Sequence, residues 1–330
     1  MKASALLQIA AGLGVAAAGV WIFKRQVHPA EMLEQIRLMP LWKIALVVLL
    51  NPATLLLRSW RWKIMLPDRS GCSKRELFPL VTIGFMANNF FPARIGEAVR
   101  AALLWKRNRF TVAESVGSLL VERFLDVLVF LVFLFLPVFI LPQLHQLFRY
   151  ALLLAALFSG VITVFALYGA RPQLVRSTVK LIVGKLPAGF QNRLVPVGRD
   201  LLSNLNWLFS VRKATAVAVL SFLTMFCQIG MLQTLGFGVE RFGFFTSMFG
   251  IAFAAIGAAI PLAPGYVGTL HAMMLQGLGM AGIASDIAGA IVVVYHATGY
   301  VTIACMGLFY FFSLKLSIGD IRGAKKRIAD

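Results

Sequence analysis

Long apolar blocks dominate this chain. They run through residues 5–23, 41–57, 77–91, 118–141, 150–169, 214–236, 244–262 and 285–313. A helix needs about 20 apolar residues to cross the hydrocarbon core of a bilayer. Lipid offers no partners for free N–H and C=O groups, so apolar blocks of this kind fold as helices. Most of the polar connectors between them are short. The stretch 170–213 is longer and can form surface helices, but not an independent enzyme domain. The expected fold class is therefore an all-α integral membrane protein, a single transmembrane domain over residues 1–330. The run after Lys2 is longer than the apolar core of a signal peptide and is closed by Lys24 and Arg25, so it reads as a retained first span.

Composition agrees: 59% of residues are hydrophobic and the mean hydropathy is +0.82, where soluble domains hold about 45–50% apolar residues. The net charge of +19 would suggest a nucleic-acid partner in a soluble protein. Here the basic residues fall between apolar blocks, which points to the membrane surface instead. Cys227 and Cys305 lie in apolar blocks and Cys72 in a basic loop, so no disulfide framework is indicated.

Lys and Arg favour the cytoplasmic side, and their distribution orients the chain. Segment 58–76 carries six, segment 93–110 five, connector 170–213 eight and tail 314–330 five. Loops 142–149 and 237–243 carry one each, and 263–284 carries none. Segment 24–43 has four, offset by Glu31 and Glu34. Segments 58–76 and 93–110 thus share the cytoplasmic side although block 77–91 separates them. A single crossing cannot begin and end on one side. The expected solution is a re-entrant hairpin over 77–106, broken at Pro92. The same reasoning, inverted, predicts a second hairpin over 244–280, broken at Pro261 to Gly265. Both breaks read Pro-x-x-x-Gly, at Pro92 to Gly96 and Pro264 to Gly268. This gives half-repeats of about 41–141 and 214–313, and about six full spans plus two oppositely oriented hairpins, the pattern of an inverted-repeat transporter. Both termini and the basic tail are placed in the cytoplasm of a bacterial inner membrane.

The polar residues inside this frame are the candidate site. Asn88, Asn89, Arg94, Glu97 and Arg100 surround the first break, the last three at intervals that place them on roughly one helical face. The planar fork of Arg suits a phosphate; interfacial arginines with Glu97 as a local partner are the plainer alternative. Glu122, Arg123 and Asp126 follow in a span that begins near Gly117, which puts the two carboxylates one to two turns inside. Charges in a membrane usually pair or face a cavity, so a structural ion pair with Arg94 or Arg100 and a substrate path are both open. Tyr266 and His271 follow the second break, and Tyr295 and His296 lie in the last span. Asn51 reads as a contact between helices. Gly184-Lys185 is followed by Leu186, so no phosphate-binding loop is present, and neither H-E-x-x-H nor C-x-x-C occurs. No metal or cofactor is expected.

Taken together, Asn89-x-x-Pro92-x-Arg94-x-Gly96-Glu97-x-x-Arg100, Glu122-Arg123-x-x-Asp126 and Pro264-Gly265-x-x-Gly268 resemble the lysylphosphatidylglycerol synthase transmembrane-region family. This flippase-like module also occurs as stand-alone proteins, some in hopanoid gene clusters. The resemblance covers nearly the whole chain. It implies an all-helical membrane fold and a role in moving phospholipids, glycolipids or related lipids between leaflets. The cytosolic aminoacyl-transfer domain of the full synthases has no counterpart here, so the synthase activity is not expected. Family members often read Pro-Gly-Gly-x-Gly at the second break, with a Glu three residues later. This chain has Tyr266 and His271 at those positions, which implies a different head group. The expected function is a lipid translocator, not an enzyme, whose partner is a membrane lipid with an anionic or polar head group. The alternative is an intramembrane enzyme or accessory subunit acting on lipid-linked sugars.

Overall fold

The computed structural model describes residues 3–67, 71–92, 94–106, 110–150, 204–260 and 263–317, with isolated positions between 152 and 181. Most of the span expected at 150–169, most of the connector 170–213 and most of the tail 314–330 lie outside the described residues. The described residues form helices and no strand: α1 (Ala3–Gln26), α2 (Pro29–Arg37), α3 (Leu41–Met65), α4 (Lys74–Phe90), α5 (Ile95–Trp105), α6 (Val112–Ile140), α7 (Val211–Leu235), α8 (Phe244–Ala259), α9 (Thr269–Met280) and α10 (Ser285–Ser313). Helices α3, α6, α7 and α10 are long and apolar enough to cross a membrane. Large apolar side chains such as Leu49, Leu120, Val301 and Phe312 face outward, while Arg61, Arg100 and Glu122 are buried. Buried charges within an otherwise apolar core, beneath an apolar exterior, are unlike a soluble domain and fit lipid as the surrounding solvent.

Two helices extend beyond their apolar blocks, and both extensions carry buried charge, Arg58 and Arg61 in one and Glu114 in the other. The second block ends at residue 57 by hydropathy, yet α3 continues to Met65 and buries Arg58 and Arg61. These two arginines are interior groups and not connector charges. Helix α6 starts at Val112 and not near Gly117. The Thr111 side chain accepts from the Glu114 N–H while Glu114 accepts from the Thr111 N–H, a closed capping box. Glu122 and Asp126 therefore sit near the middle of a 29-residue helix.

Contacts between the elements define two ends of the molecule. At one end Met65 packs with Trp207 and Val217, Trp62 with Leu77 and Leu104, and Phe78 with Tyr310. At the other, Lys43 Nζ donates to the Phe237 carbonyl at 2.6 Å and Gln143 donates to the Ala281 carbonyl at 3.0 Å. The hairpin α4–α5 has its open ends at the first pole, and the hairpin α8–α9 at the second. The halves α3–α6 and α7–α10 pack by exchange: α3 lies on α7, α4 on α10, and α8 on α6. Helix α1 lies along α9 and the second break, where Gly19 and Gly268 touch through their backbones.

Candidate functional site at the meeting of the two breaks

Each hairpin turns through left-handed backbone. Arg94 has φ 50° at the first break, and Gly265, Tyr266 and Gly268 have φ 58°, 60° and 83° at the second. Such values are ordinary for glycine and uncommon for arginine or tyrosine. Tyr266 stands where the resemblance implies a glycine, and its conformation shows what that glycine would serve. At the first break the Asn88 side chain crosses the gap and accepts the Gly96 N–H at 2.7 Å. It thereby satisfies one of the free donors at the start of α5. Asn88 is thus a structural clasp.

The two tips meet. The Asn89 side-chain amide donates to the Tyr300 carbonyl, and the Tyr300 hydroxyl donates to the Asn89 carbonyl, each at 3.3 Å. A Cβ on Gly265 would stand 2.9 Å from the Asn89 carbonyl oxygen and 2.7 Å from the Tyr300 ring, so this approach requires glycine. Arg94 reaches across and donates to the Ala258 carbonyl at 2.6 Å, at the end of α8 where unpaired carbonyls concentrate negative charge. Its guanidinium also lies 5.8 Å from the Tyr266 ring centroid.

Behind the tips lies an ionic network. Arg100 and Glu122 form a bidentate pair at 2.8 and 3.2 Å. Arg123 bonds Glu122 at 2.7 Å and Asp126 at 3.1 Å. Arg61 approaches Asp126 at 2.6 Å and Glu122 at 3.6 Å, and Arg58 reaches Asp126 at 3.2 Å. Glu97 stands 3.7 Å from Arg123 and 3.9 Å from Arg94. Removing a charge from water is costly, and only excellent geometry with several partners offsets it. Glu122, wholly buried, meets that condition through Arg61, Arg100 and Arg123.

A cavity of about 500 Å³ opens between the network and the tips. Of the residues singled out by sequence, Asn89, Arg94, Arg123, Asp126, Tyr266, Tyr295 and His296 line it. Asn88, Glu97, Arg100, Glu122 and His271 are not on its wall. His271 accepts the Gly268 N–H at 3.2 Å through Nδ1 and meets His296 Nδ1 at 3.3 Å through Nε2. It fastens the second break to α10. Sequence reasoning passed over Arg58, which lines the cavity, and Tyr300, which joins the tips. From sequence alone Arg58 reads as a surface charge. Asn51 also lies on the wall while bonding its own helix at the Val47 carbonyl. The lining also includes the apolar residues Phe85, Phe130, Met225, Ile251 and Leu270. His28 and Glu31 meet Asp286, distant in sequence, with ligand atoms within 4.8 Å of one another. There the Asp286 carboxylate accepts the His28 N–H at 2.6 Å and so caps the start of α2.

These features define a multi-pass membrane protein with a charged interior held by two broken-helix hairpins. The chain belongs to the family described as the lysylphosphatidylglycerol synthase TM region, which matches residues 9–307. It is also similar to a UPF0104 membrane protein of Methanothermobacter thermautotrophicus, with 25% identity over 329 residues, covering 93% of this chain and 95% of the relative. No solved structure gives a significant match.

Proposed function

We propose that the protein moves a lipid with an anionic or polar head group between the leaflets of a cytoplasmic membrane, leaving its covalent structure unchanged. One observation carries this reading. Arg58, Arg94 and Arg123 share the wall of a partly apolar cavity at the meeting of two hairpins that point inward from opposite poles. Non-helical backbone at membrane depth is tolerated only inside protein or beside a water-filled cavity. Paired broken helices meeting near the middle are how secondary transporters expose one site to alternate sides. Lys74, Arg75, Lys106 and Lys315 gather at the open end of the first hairpin, which favours that pole as cytoplasmic. On this reading each hairpin is re-entrant and gates one side.

The test is reconstitution into proteoliposomes carrying a fluorescent anionic phospholipid. The expected result is label reaching the opposite leaflet faster than in empty vesicles, with its mass unchanged. A changed lipid mass would replace the translocator with an enzyme, and no acceleration for any tested lipid would overturn transport.

A further inference from the structure

Resting on the lipid-translocator reading, we infer that the transported lipid carries two negative charges at one phosphate group, as a phosphomonoester head group does. The argument is charge balance within the described residues. The connected network holds five guanidinium groups, Arg58, Arg61, Arg94, Arg100 and Arg123, against three carboxylates, Glu97, Glu122 and Asp126. The formal excess is two positive charges. The cavity wall alone gives the same figure, with Arg58, Arg94 and Arg123 against Asp126.

The carboxylates have little capacity left to cancel this excess. Both oxygens of Glu122 are taken by Arg100, with Arg61 and Arg123 beside them. Asp126 already serves Arg58, Arg61 and Arg123. Glu97 stands no closer than 3.7 Å to either of its arginines. Arg94 keeps a buried Nε without a hydrogen-bond partner, and its closest acceptor is the neutral carbonyl of Ala258. Uncompensated charge is expensive away from water. A phosphodiester, with one charge, would leave the occupied cavity positive. A dianion closes the balance, and three guanidinium forks supply the donors that its oxygens accept. The remaining wall offers neutral donors in Tyr266 and Tyr295 beside apolar side chains suited to the glyceride or chain end of a lipid.

The experiment compares three probes on the detergent-purified protein by native mass spectrometry and thermal stabilisation. They are a phosphatidic acid, its phosphate monomethyl ester with the same acyl chains, and glycerol 3-phosphate. The pH is set about two units above the second ionisation of the phosphatidic acid, titrated in the same detergent by phosphorus NMR, so the first lipid is a dianion and the second a monoanion. We expect the phosphatidic acid to bind at least tenfold more tightly than the methyl ester, and glycerol 3-phosphate more weakly than either lipid. Equal affinity for the two lipids would overturn the dianion while leaving the translocator reading intact. Glycerol 3-phosphate binding as tightly as phosphatidic acid would overturn the lipid. Binding of none would overturn both readings. Because the comparison uses the unaltered chain, no variant has to fold. As a second measurement, Arg58→Gln should bring the two lipids within about threefold; an undiminished tenfold preference in a folded Arg58→Gln protein would also count against the charge argument.

Discussion

Arg94 carries most of the site's distinctive chemistry in one residue. It takes up left-handed backbone at the first break and spans the gap to the second. In proteoliposomes, Arg94→Ala is expected to abolish transport, and Arg94→Lys to restore only part of it, since lysine keeps the charge but loses the planar fork. Full transport by a normally expressed Arg94→Ala protein would end the head-group assignment. Glu122 and Asp126 should separate. Glu122 has no exposure and three arginine partners, while Asp126 is 20% exposed and lines the cavity. Breaking a buried ion pair costs about 3–5 kcal/mol in soluble proteins, and less in membranes, where the unfolded reference also finds partners. Glu122→Gln should therefore lower the detergent melting temperature by several degrees. Asp126→Asn should cost less stability and more transport. A melting loss as large for Asp126→Asn, with transport intact, would make Asp126 structural. The sequence carried these residues plainly, because an acid in an apolar block stands out. It could not carry Arg58 or Arg61, which lie at the edge of a block, where a surface charge and a buried one look the same.

At the scale of elements, the first hairpin closes through glycine. A Cβ on Gly96 would collide with the Gly84 carbonyl oxygen and stand 2.6 Å from the Asn88 carboxamide oxygen. Both neighbours belong to α4, whose backbone cannot yield without parting the hairpin. Gly96→Ala is expected to reduce stability and transport together, whereas Gly230→Ala, with open space around it, should change neither. Equal behaviour of the two variants in a melting assay would refute close packing at the break. Both helix breaks were legible from Pro92, Gly96, Pro264 and Gly268 together with the pattern of basic residues. What joins the breaks was not. The bonds between Asn89 and Tyr300 link residues 211 apart, and local periodicity carries no information about such distances. Helix ends were misjudged for a related reason. Hydropathy marks where a chain enters lipid, but α3 and α6 each continue one or more turns beyond that point through charged residues that the fold itself buries.

For the whole molecule, the arrangement of poles makes a direct prediction about sidedness. In a chain lacking Cys72, Cys227 and Cys305, single cysteines at Arg75 and Lys106 should react with an impermeant reagent from one face of the membrane. Cysteines at Glu240 and Ala284 should react from the other. Labelling of Arg75→Cys and Lys106→Cys from opposite faces would make α4 a simple crossing and dissolve the two-hairpin architecture. The exchange of packing partners between halves, α4 on α10 and α8 on α6, follows if one fold unit is used twice in opposite senses. No repeat of residues announces it, since Pro-x-x-x-Gly is too short to be distinctive.

The contact between Arg94 and Ala258 sets a rivalry. The N–H that fastens the first hairpin to the end of α8 belongs to the group best placed to hold an incoming phosphate, and a planar guanidinium that turns its fork toward the phosphate swings that N–H away from the carbonyl. If Arg94 turns to the head group, the tip of α8 loses its tether at that moment and regains it when the lipid leaves. On the proposed reading the empty protein is then the fastened one and the loaded protein the loosened one, an order in which the head group itself releases the tip of α8.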